Sequence, residues 1–257
     1  MQAAAPALQG RHAIVTGGSR GIGRAVAAAL VGAGAAVTIL GRDQARLDAA
    51  VAAGAAHAAF RADVSDAASM RDAVDRASGR AGPVDLLVAN AGEAASAPFM
   101  KTAPATFAAM LDVNLMGVVH AVQAVLGPMT ERGYGRIVAV ASTAGLRGYP
   151  YVSAYCAAKH AVIGLVRALA LETARAGVTV NAVCPGFTDT PLVAGSLDRI
   201  VRKTGRSREE ALAELVRHNP QGRLVDPREV ADAVLWLCGE GAGAVTGQAI
   251  AVAGGEV

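Results

Sequence analysis

The stretch His12-Ala-Ile-Val-Thr-Gly-Gly-Ser-Arg-Gly-Ile-Gly23 constrains this chain more than any other. Its apolar start, Ala13 to Thr16, reads as a buried strand. A turn with Gly17, Gly18, Gly21 and Gly23 follows, and Arg24-Ala-Val-Ala-Ala-Ala-Leu-Val reads as a helix. Strand, glycine turn and helix in that order is the setting of a dinucleotide-binding loop. The glycines let the backbone approach a pyrophosphate. The helix start turns free N–H groups and a partial positive charge toward it. Glycines alone are weak evidence, since 30 of the 257 residues are glycine. The flanking elements carry the reading.

The same alternation continues along the chain. Apolar runs at Val37–Leu40, Ala56–Arg61, Val84–Ala89, Arg136–Val140, Val178–Val183 and Gln248–Val252 predict further strands. Helices are expected at about 44–53, 66–78, 104–130 and 152–175, and from Asp226-Pro227 to Cys238. Asp66 and Thr102 are the expected caps. Pro104 suits a first helical turn, and Gly177 suits a stop. The strands are unbroken apolar runs, as in a parallel sheet covered by helices on both faces. The expectation is an α/β chain with one doubly wound domain over residues 1–257. A charged helical segment, 188–223, follows the sixth strand and is expected to cover the substrate. A solvated helical hairpin is the alternative.

Composition narrows the partners. With 53% apolar residues the chain can bury a sizeable core. The net charge is only +3, and its basic residues are scattered, which argues against nucleic acid. No unbroken apolar run approaches the ~20 residues of a bilayer span, so no membrane partner is expected. Met1 to Gln9 lacks the features of a secretory signal. Cys156, Cys184 and Cys238 lie far apart without metal-ligand spacing, and read as reduced thiols of a cytoplasmic protein.

In a parallel sheet, ligands bind beyond the carboxyl ends of the strands. The polar residues there are Ser19, Arg20, Arg42, Asp63, Asn90, Ser142 and Thr188. Tyr155 and Lys159 share a helical face. An ammonium beside a phenol favours phenolate and lowers the phenol pKa. Such a phenol exchanges a proton with a carbonyl or alcohol oxygen, and Ser142 can hydrogen-bond the same oxygen.

With these residues in place, the sequence resembles the short-chain dehydrogenase/reductase family over nearly its whole length. Thr16 to Gly23 is similar to the family's Thr-Gly-x-x-x-Gly-x-Gly loop. Asn90-Ala91-Gly92 is similar to its Asn-Ala-Gly element, here preceded by Ala89 where Asn is more usual. Asn114, Ser142, Tyr155 and Lys159 match the catalytic set, and Pro185-Gly186 and Thr188 match the element against the nicotinamide and pyrophosphate. The resemblance implies a Rossmann-like sheet of order 3-2-1-4-5-6-7 and a homotetramer. It implies that Tyr155 donates the proton, Ser142 steadies the oxyanion, and Lys159 lowers the Tyr155 pKa and grips the nicotinamide ribose. Asn114 is implied to kink its helix and hold a water next to Lys159. Cofactor contacts are implied at Gly17, Ser19, Arg20, Gly21, Ile22, Gly23, Asn90, Ala91, Gly92, Pro185, Gly186 and Thr188, besides Tyr155 and Lys159. Asp63 is expected to receive the adenine amino group, with Val64 packed on the ring.

NAD specificity needs an acidic residue at the end of strand two for the ribose diol. That end is Leu40-Gly41-Arg42, and Asp43 comes one or two positions late. Arg42, or Arg20, can pair with a 2′-phosphate through the guanidinium fork. NADP(H) is therefore expected over NAD(H). Within the family the sequence resembles 3-oxoacyl thioester reductases, of the acyl-carrier-protein or coenzyme A kind. Residues 183–191 and 245–255 also resemble aromatic polyketide ketoreductases. The candidate substrate pocket is Glu93, Ala94, Ser96, Leu146, Tyr149, Tyr151, Phe187 and Leu192, mostly apolar as an acyl or cyclic ketone requires. Two alternatives are an oxidative dehydrogenase acting on a cyclic or secondary alcohol and a non-enzymatic dinucleotide-binding regulator. The intact Asn, Ser, Tyr and Lys set argues against the regulator.

Overall fold

A computed structural model describes residues 7–257. Strands β1 (His12–Thr16), β2 (Ala36–Gly41), β3 (Ala58–Arg61), β4 (Leu86–Ala89), β5 (Gly135–Val140), β6 (Val178–Pro185) and β7 (Ala249–Val252) form one sheet. The order is β3-β2-β1-β4-β5-β6-β7, every pairing is parallel, and it is the order that the resemblance implies. Ile14 of β1 sits in register with Thr38 of β2 on one side and Leu87 of β4 on the other. The chain thus turns opposite ways from β1, which opens a crevice at the carboxyl edge between β1 and β4.

Helices α1 (Gly21–Gly32), α2 (Gln44–Ala52) and α9 (Pro227–Cys238) cover one face. Helices α3 (Ala67–Ala81), α5 (Gly117–Arg132) and α6 (Ser153–Thr173) cover the other. In β5, Ile137 and Ala139 enter the core under α5 and α6, while Val138 and Val140 enter the core under α9. Both faces of the strand are dry, so its sequence reads as an apolar run rather than an alternation.

Local chemistry sets the ends. Asp66 caps α3, its Oδ1 accepting from the Ala68 and Ser69 amides at 2.9 and 3.3 Å. Thr102 does not cap the next helix, contrary to expectation. Ala103 holds that position, and the Thr102 hydroxyl donates to the Pro98 carbonyl at 3.1 Å. The single helix expected over 104–130 is α4 (Pro104–Leu111), a π-helical turn at Asp112–Met116, and α5. The π turn inserts an extra residue where Asn114 is fully buried. Gly177 adopts the left-handed conformation that ends the next helical stretch, φ 70°.

The segment after β6 contains α7 (Pro191–Thr204) and α8 (Arg208–Val216). Its two ends are tied together: the Asp189 amide donates to Val225 O, and the Val225 amide donates to Phe187 O, both at 2.9 Å.

Two helical stretches, Pro104–Arg132 and Ser153–Ala176, are apolar and long enough to cross a bilayer by length and composition. Core helices packed on a sheet meet the same measure, so it does not bear against the expectation drawn from unbroken runs. Alanine and glycine with few charges average as apolar without forming such a run. Both stretches pack on the sheet, yet only 39% and 44% of their most apolar windows are buried by this chain.

Candidate active site

The site starts at the loop after β1. Gly17 has φ 65°, and a Cβ there would lie 2.9 Å from Asn90 Nδ2, so only glycine suits the position. The Asn90 carboxamide donates to Thr16 O at 2.9 Å and Gly17 O at 3.2 Å. The Thr16 hydroxyl accepts from the Asn90 and Ala91 amides, both at 3.0 Å. Asn90 and Ala91 therefore fasten the glycine loop in place. Helix α1 begins at once, and its N-cap Arg20 makes no side-chain cap bond. The first-turn N–H groups remain available at the carboxyl edge, as an anion site requires. Ser19 is half-buried in this loop, Arg20 is exposed, and Ile22 packs against the core beneath α1. A backbone cradle without Cβ atoms, followed by a helix start, fits a dinucleotide pyrophosphate.

At the end of β2, Asp43 caps α2 and pairs with Arg46, its Oδ2 3.0 Å from Arg46 Nε. Arg42 is exposed and forms an ion pair with Glu93. Glu93, expected in the ketone pocket, is thus turned toward the cofactor side. Beyond β3, Asp63 Oδ1 accepts from the Ser65 hydroxyl at 2.7 Å and the Ser65 amide at 3.0 Å. These bonds, with the charges of Arg42 and Arg61, hold the Asp63 carboxyl below its ordinary range. Val64 follows, its side chain packed in the core, 2.8 Å from where a Cβ on Gly117 would stand.

Ser142 follows β5 and caps a short 3-10 turn, its Oγ accepting from the Ala144 amide at 3.1 Å. Tyr155 lies in the first turn of α6 and Lys159 lies one turn later. Lys159 is buried. Its Nζ donates to Val140 O at 2.9 Å and stands 5.7 Å from the Tyr155 ring centroid. Burial pushes the Tyr155 phenol up to about 12, against a smaller lowering by Ser142. Burial likewise pulls Lys159 down to about 8. Loss of water is the largest influence on both groups.

The Asn114 carboxamide donates to Glu93 O and Met110 O, each at 3.0 Å, and accepts from the Glu93 amide at 3.3 Å. A Cβ on Gly92 would lie 2.7 Å from Asn114 Oδ1 and 3.6 Å from Lys159 Nζ. The β4 loop, the π turn and the catalytic helix meet at this point. Protein partners thus fix the Asn114 side chain through both its nitrogen and its oxygen.

The substrate side is partly assembled. Tyr149 and Phe187 stand edge to face with centroids 6.2 Å apart. The Tyr149 hydroxyl bonds Thr143 Oγ1 at 2.8 Å and donates to Glu256 Oε1 at 2.5 Å. Burial and the Glu256 carboxylate push the Tyr149 phenol up. Glu256 Oε2 would be 3.1 Å from a Cβ on Gly186, which places this carboxylate against the Pro185-Gly186 element. Sequence reasoning missed Glu256, and a lone acid after two glycines carried no signal. Tyr151 has φ 68°, an outlier for a bulky residue, and its carbonyl accepts from the Ala97 amide at 2.8 Å. That bond brings the loop of Ala94 and Ser96 toward the start of α6. Thr188 is buried and donates to Gly186 O at 2.9 Å. Leu146 packs on the core under α6, while Leu192 stands exposed on α7.

A serine, a phenol and a buried lysine beside a dinucleotide loop define an NAD(P)-dependent oxidoreductase that interconverts a carbonyl and its alcohol. Residues 11–200 match the family described as short chain dehydrogenase, and the chain belongs to that family. It is 40% identical over 249 residues to a candidate ketoacyl reductase of Streptomyces coelicolor, covering 95% of each chain. It is 36% identical over 248 residues to an acetoacetyl-CoA reductase of Rhizobium meliloti, covering 96% of this chain and 98% of that one. Its fold superposes on a crystal structure of an actinorhodin polyketide ketoreductase variant with NADPH, at TM-score 0.92 and 39% identity, covering 96% and 97% of the two chains.

Proposed function

We propose that this chain is an NADPH-dependent ketoreductase acting on a 3-oxoacyl thioester, carried on coenzyme A or an acyl carrier protein, or on a polyketide-like ketone. The observation that carries the reading is the meeting of Ser142, Tyr155 and Lys159 beside the Tyr149–Phe187 wall at the carboxyl edge. The ketoacyl, acetoacetyl-CoA and polyketide relatives support it.

When bound, the nicotinamide supplies a hydride to the carbonyl carbon. The hydroxyls of Ser142 and Tyr155 hold the carbonyl oxygen. Tyr155 gives it a proton as negative charge develops there. A phenol held up to about 12 is protonated at neutral pH, the state that reduction requires. Lys159, at about 8, is mostly charged at that pH and stabilises the phenolate left behind. Arg42 after β2, or Arg20 in the glycine loop, suits the 2′-phosphate, while Asp43 is engaged by Arg46. A Cβ on Gly21 would stand 3.2 Å from Thr190 Cγ2, so the start of the 188–223 segment rests on the glycine loop. This supports a covering role for α7 and α8. Homotetramer formation would cover the long helices, where Leu171 is 84% exposed. The three free, buried cysteines suit a cytoplasmic setting.

A turnover screen tests the chemistry. NADPH and NADH are each offered with a 3-oxoacyl thioester, a quinone and a cyclic ketone. Turnover of the thioester or the polycyclic-type ketones with NADPH is expected, and a preference for NADH or no reduction of any ketone overturns the reading. Light scattering tests the assembly: a mass near 25.7 kDa at micromolar concentration overturns the oligomer.

A further inference from the structure

Three carboxylates surround the ends of β2 and β3, and their engagements differ. Asp43 is taken by the α2 cap and Arg46. Asp63 is taken by Ser65. Among the described residues, Glu93 is the acid that pairs with Arg42. Arg42 follows β2 and Glu93 follows β4, and β1 with its glycine loop lies between them in the sheet. The ion pair therefore joins the two loops that flank the pyrophosphate cradle.

The Glu93 side chain is launched from a fixed backbone. Its amide donates to Asn114 Oδ1 and its carbonyl accepts from Asn114 Nδ2. Asn114 is itself fully buried. A carboxylate anchored in this way stays within reach of Arg42 instead of drifting into solvent. It presents to the guanidinium the same planar, anionic pair of oxygens that a phosphate would.

We propose that Glu93 is a specificity-determining residue for the cofactor: its carboxylate competes with the 2′-phosphate for Arg42 and thereby holds down the preference for NADP(H) over NAD(H). The inference rests on the reading that Arg42 receives the 2′-phosphate. A dinucleotide with the phosphate must displace Glu93 from Arg42. One without it can leave the pair closed. Both side chains are about half exposed or more, at 61% for Arg42 and 45% for Glu93, so water screens the pair and its effect is modest.

Isothermal titration of NADP+ and NAD+ into the wild type, Glu93→Gln, Arg42→Gln and the double variant tests the proposal without turnover. Glu93→Gln is expected to tighten NADP+ by about threefold to fivefold, the scale of one exposed ion pair, and to leave NAD+ within about twofold. In the Arg42→Gln background the same change is expected to have no effect on NADP+. If Arg42→Gln weakens NADP+ selectively while Glu93→Gln changes nothing, or changes both cofactors alike, the role of Glu93 is overturned and the phosphate reading stands. If Arg42→Gln leaves the NADP+ to NAD+ ratio unchanged, the phosphate reading and the role of Glu93 both fall.

Discussion

At the amino edge of the sheet, most polar groups close on one another, with the buried Tyr134 hydroxyl, Arg136 Nε and Thr179 Oγ1 as the exceptions. His12 Nδ1 meets Gly82 O at 2.8 Å and its Nε2 meets Thr38 Oγ1 at 3.0 Å. Asp85 accepts from the His12 amide at 3.1 Å and lies within 4.0 Å of Arg11 and 3.8 Å of Arg132. Arg11 and Arg136 stack over the Tyr134 ring at 3.8 and 4.6 Å. At the carboxyl edge the same residue types are left with chemistry to spare. Lys159 is buried against one carbonyl, Tyr155 holds its proton beside Ser142, and Tyr151 sits in a left-handed backbone conformation. Charges answered inside the protein hold strands in register. Charges held for a ligand cost stability until it arrives.

Four substitutions test that contrast, from the largest expected effect to the smallest. Tyr155→Phe keeps the ring and removes the proton. Turnover is expected to fall at least ~100-fold with cofactor binding retained. Near-normal rates would remove Tyr155 from the chemistry.

Asp85→Ala should act only on the other edge. It leaves the His12 amide without its acceptor and removes the carboxylate that Arg11 and Arg132 share, and denaturant unfolding is expected to show a loss of about 2 kcal/mol. The turnover of the folded enzyme should be unchanged. A matching loss of catalytic rate would mean that the two edges are not separable.

Glu256→Ala probes the substrate wall. Without that acceptor Tyr149 is held by Thr143 alone, and KM for the ketone is expected to rise roughly fivefold with kcat within about twofold, the scale of one partly exposed charged hydrogen bond. Glu256→Gln retains an acceptor oxygen and should restore most of the loss. In a Tyr149→Phe background, Glu256→Ala should add little. Additive losses would show that Glu256 acts elsewhere.

The smallest effect is on stability, which Lys159→Met should raise by removing a buried charge. The folded pKa of Lys159, about 8, lies below its ordinary 10.5. Below about pH 8 the folded state must carry a buried charge, and this costs stability. The cost shrinks as pH rises from about 8 toward 10.5, where the unfolded state loses the same proton. Removing the charge is worth about 3 kcal/mol at pH 7 and leaving the Val140 carbonyl without its donor costs about 2 kcal/mol, so the variant is expected to gain about 1 kcal/mol there and progressively less toward pH 10. A gain that grows with pH would overturn the assignment.

Much of the site was legible because its signals are local. The glycine loop reads through because strand, turn and helix are consecutive, and Tyr155 and Lys159 through helical spacing. Asp66 announces a cap that the structure contains, whereas Thr102 announces one that it lacks, since the nearby Pro98 carbonyl competes for its hydroxyl. Glu256 and Tyr149 are 107 positions apart, and Arg42 and Glu93 are 51 apart. No local pattern joins either pair.

The sequence by itself determined the alternation of strands and helices, the cradle for a dinucleotide and the placing of Tyr155 and Lys159 one helical turn apart. Each depends on neighbours within a turn or two of backbone. Only the tertiary structure decided where Glu93 points, that Val64 belongs to the core, and that Glu256 joins the substrate wall. It also decided that burial pushes Tyr155 up and Lys159 down. Desolvation depends on every atom that surrounds a group, and those atoms come from β4, β5, β6 and α6 together, which meet only once the sheet has formed.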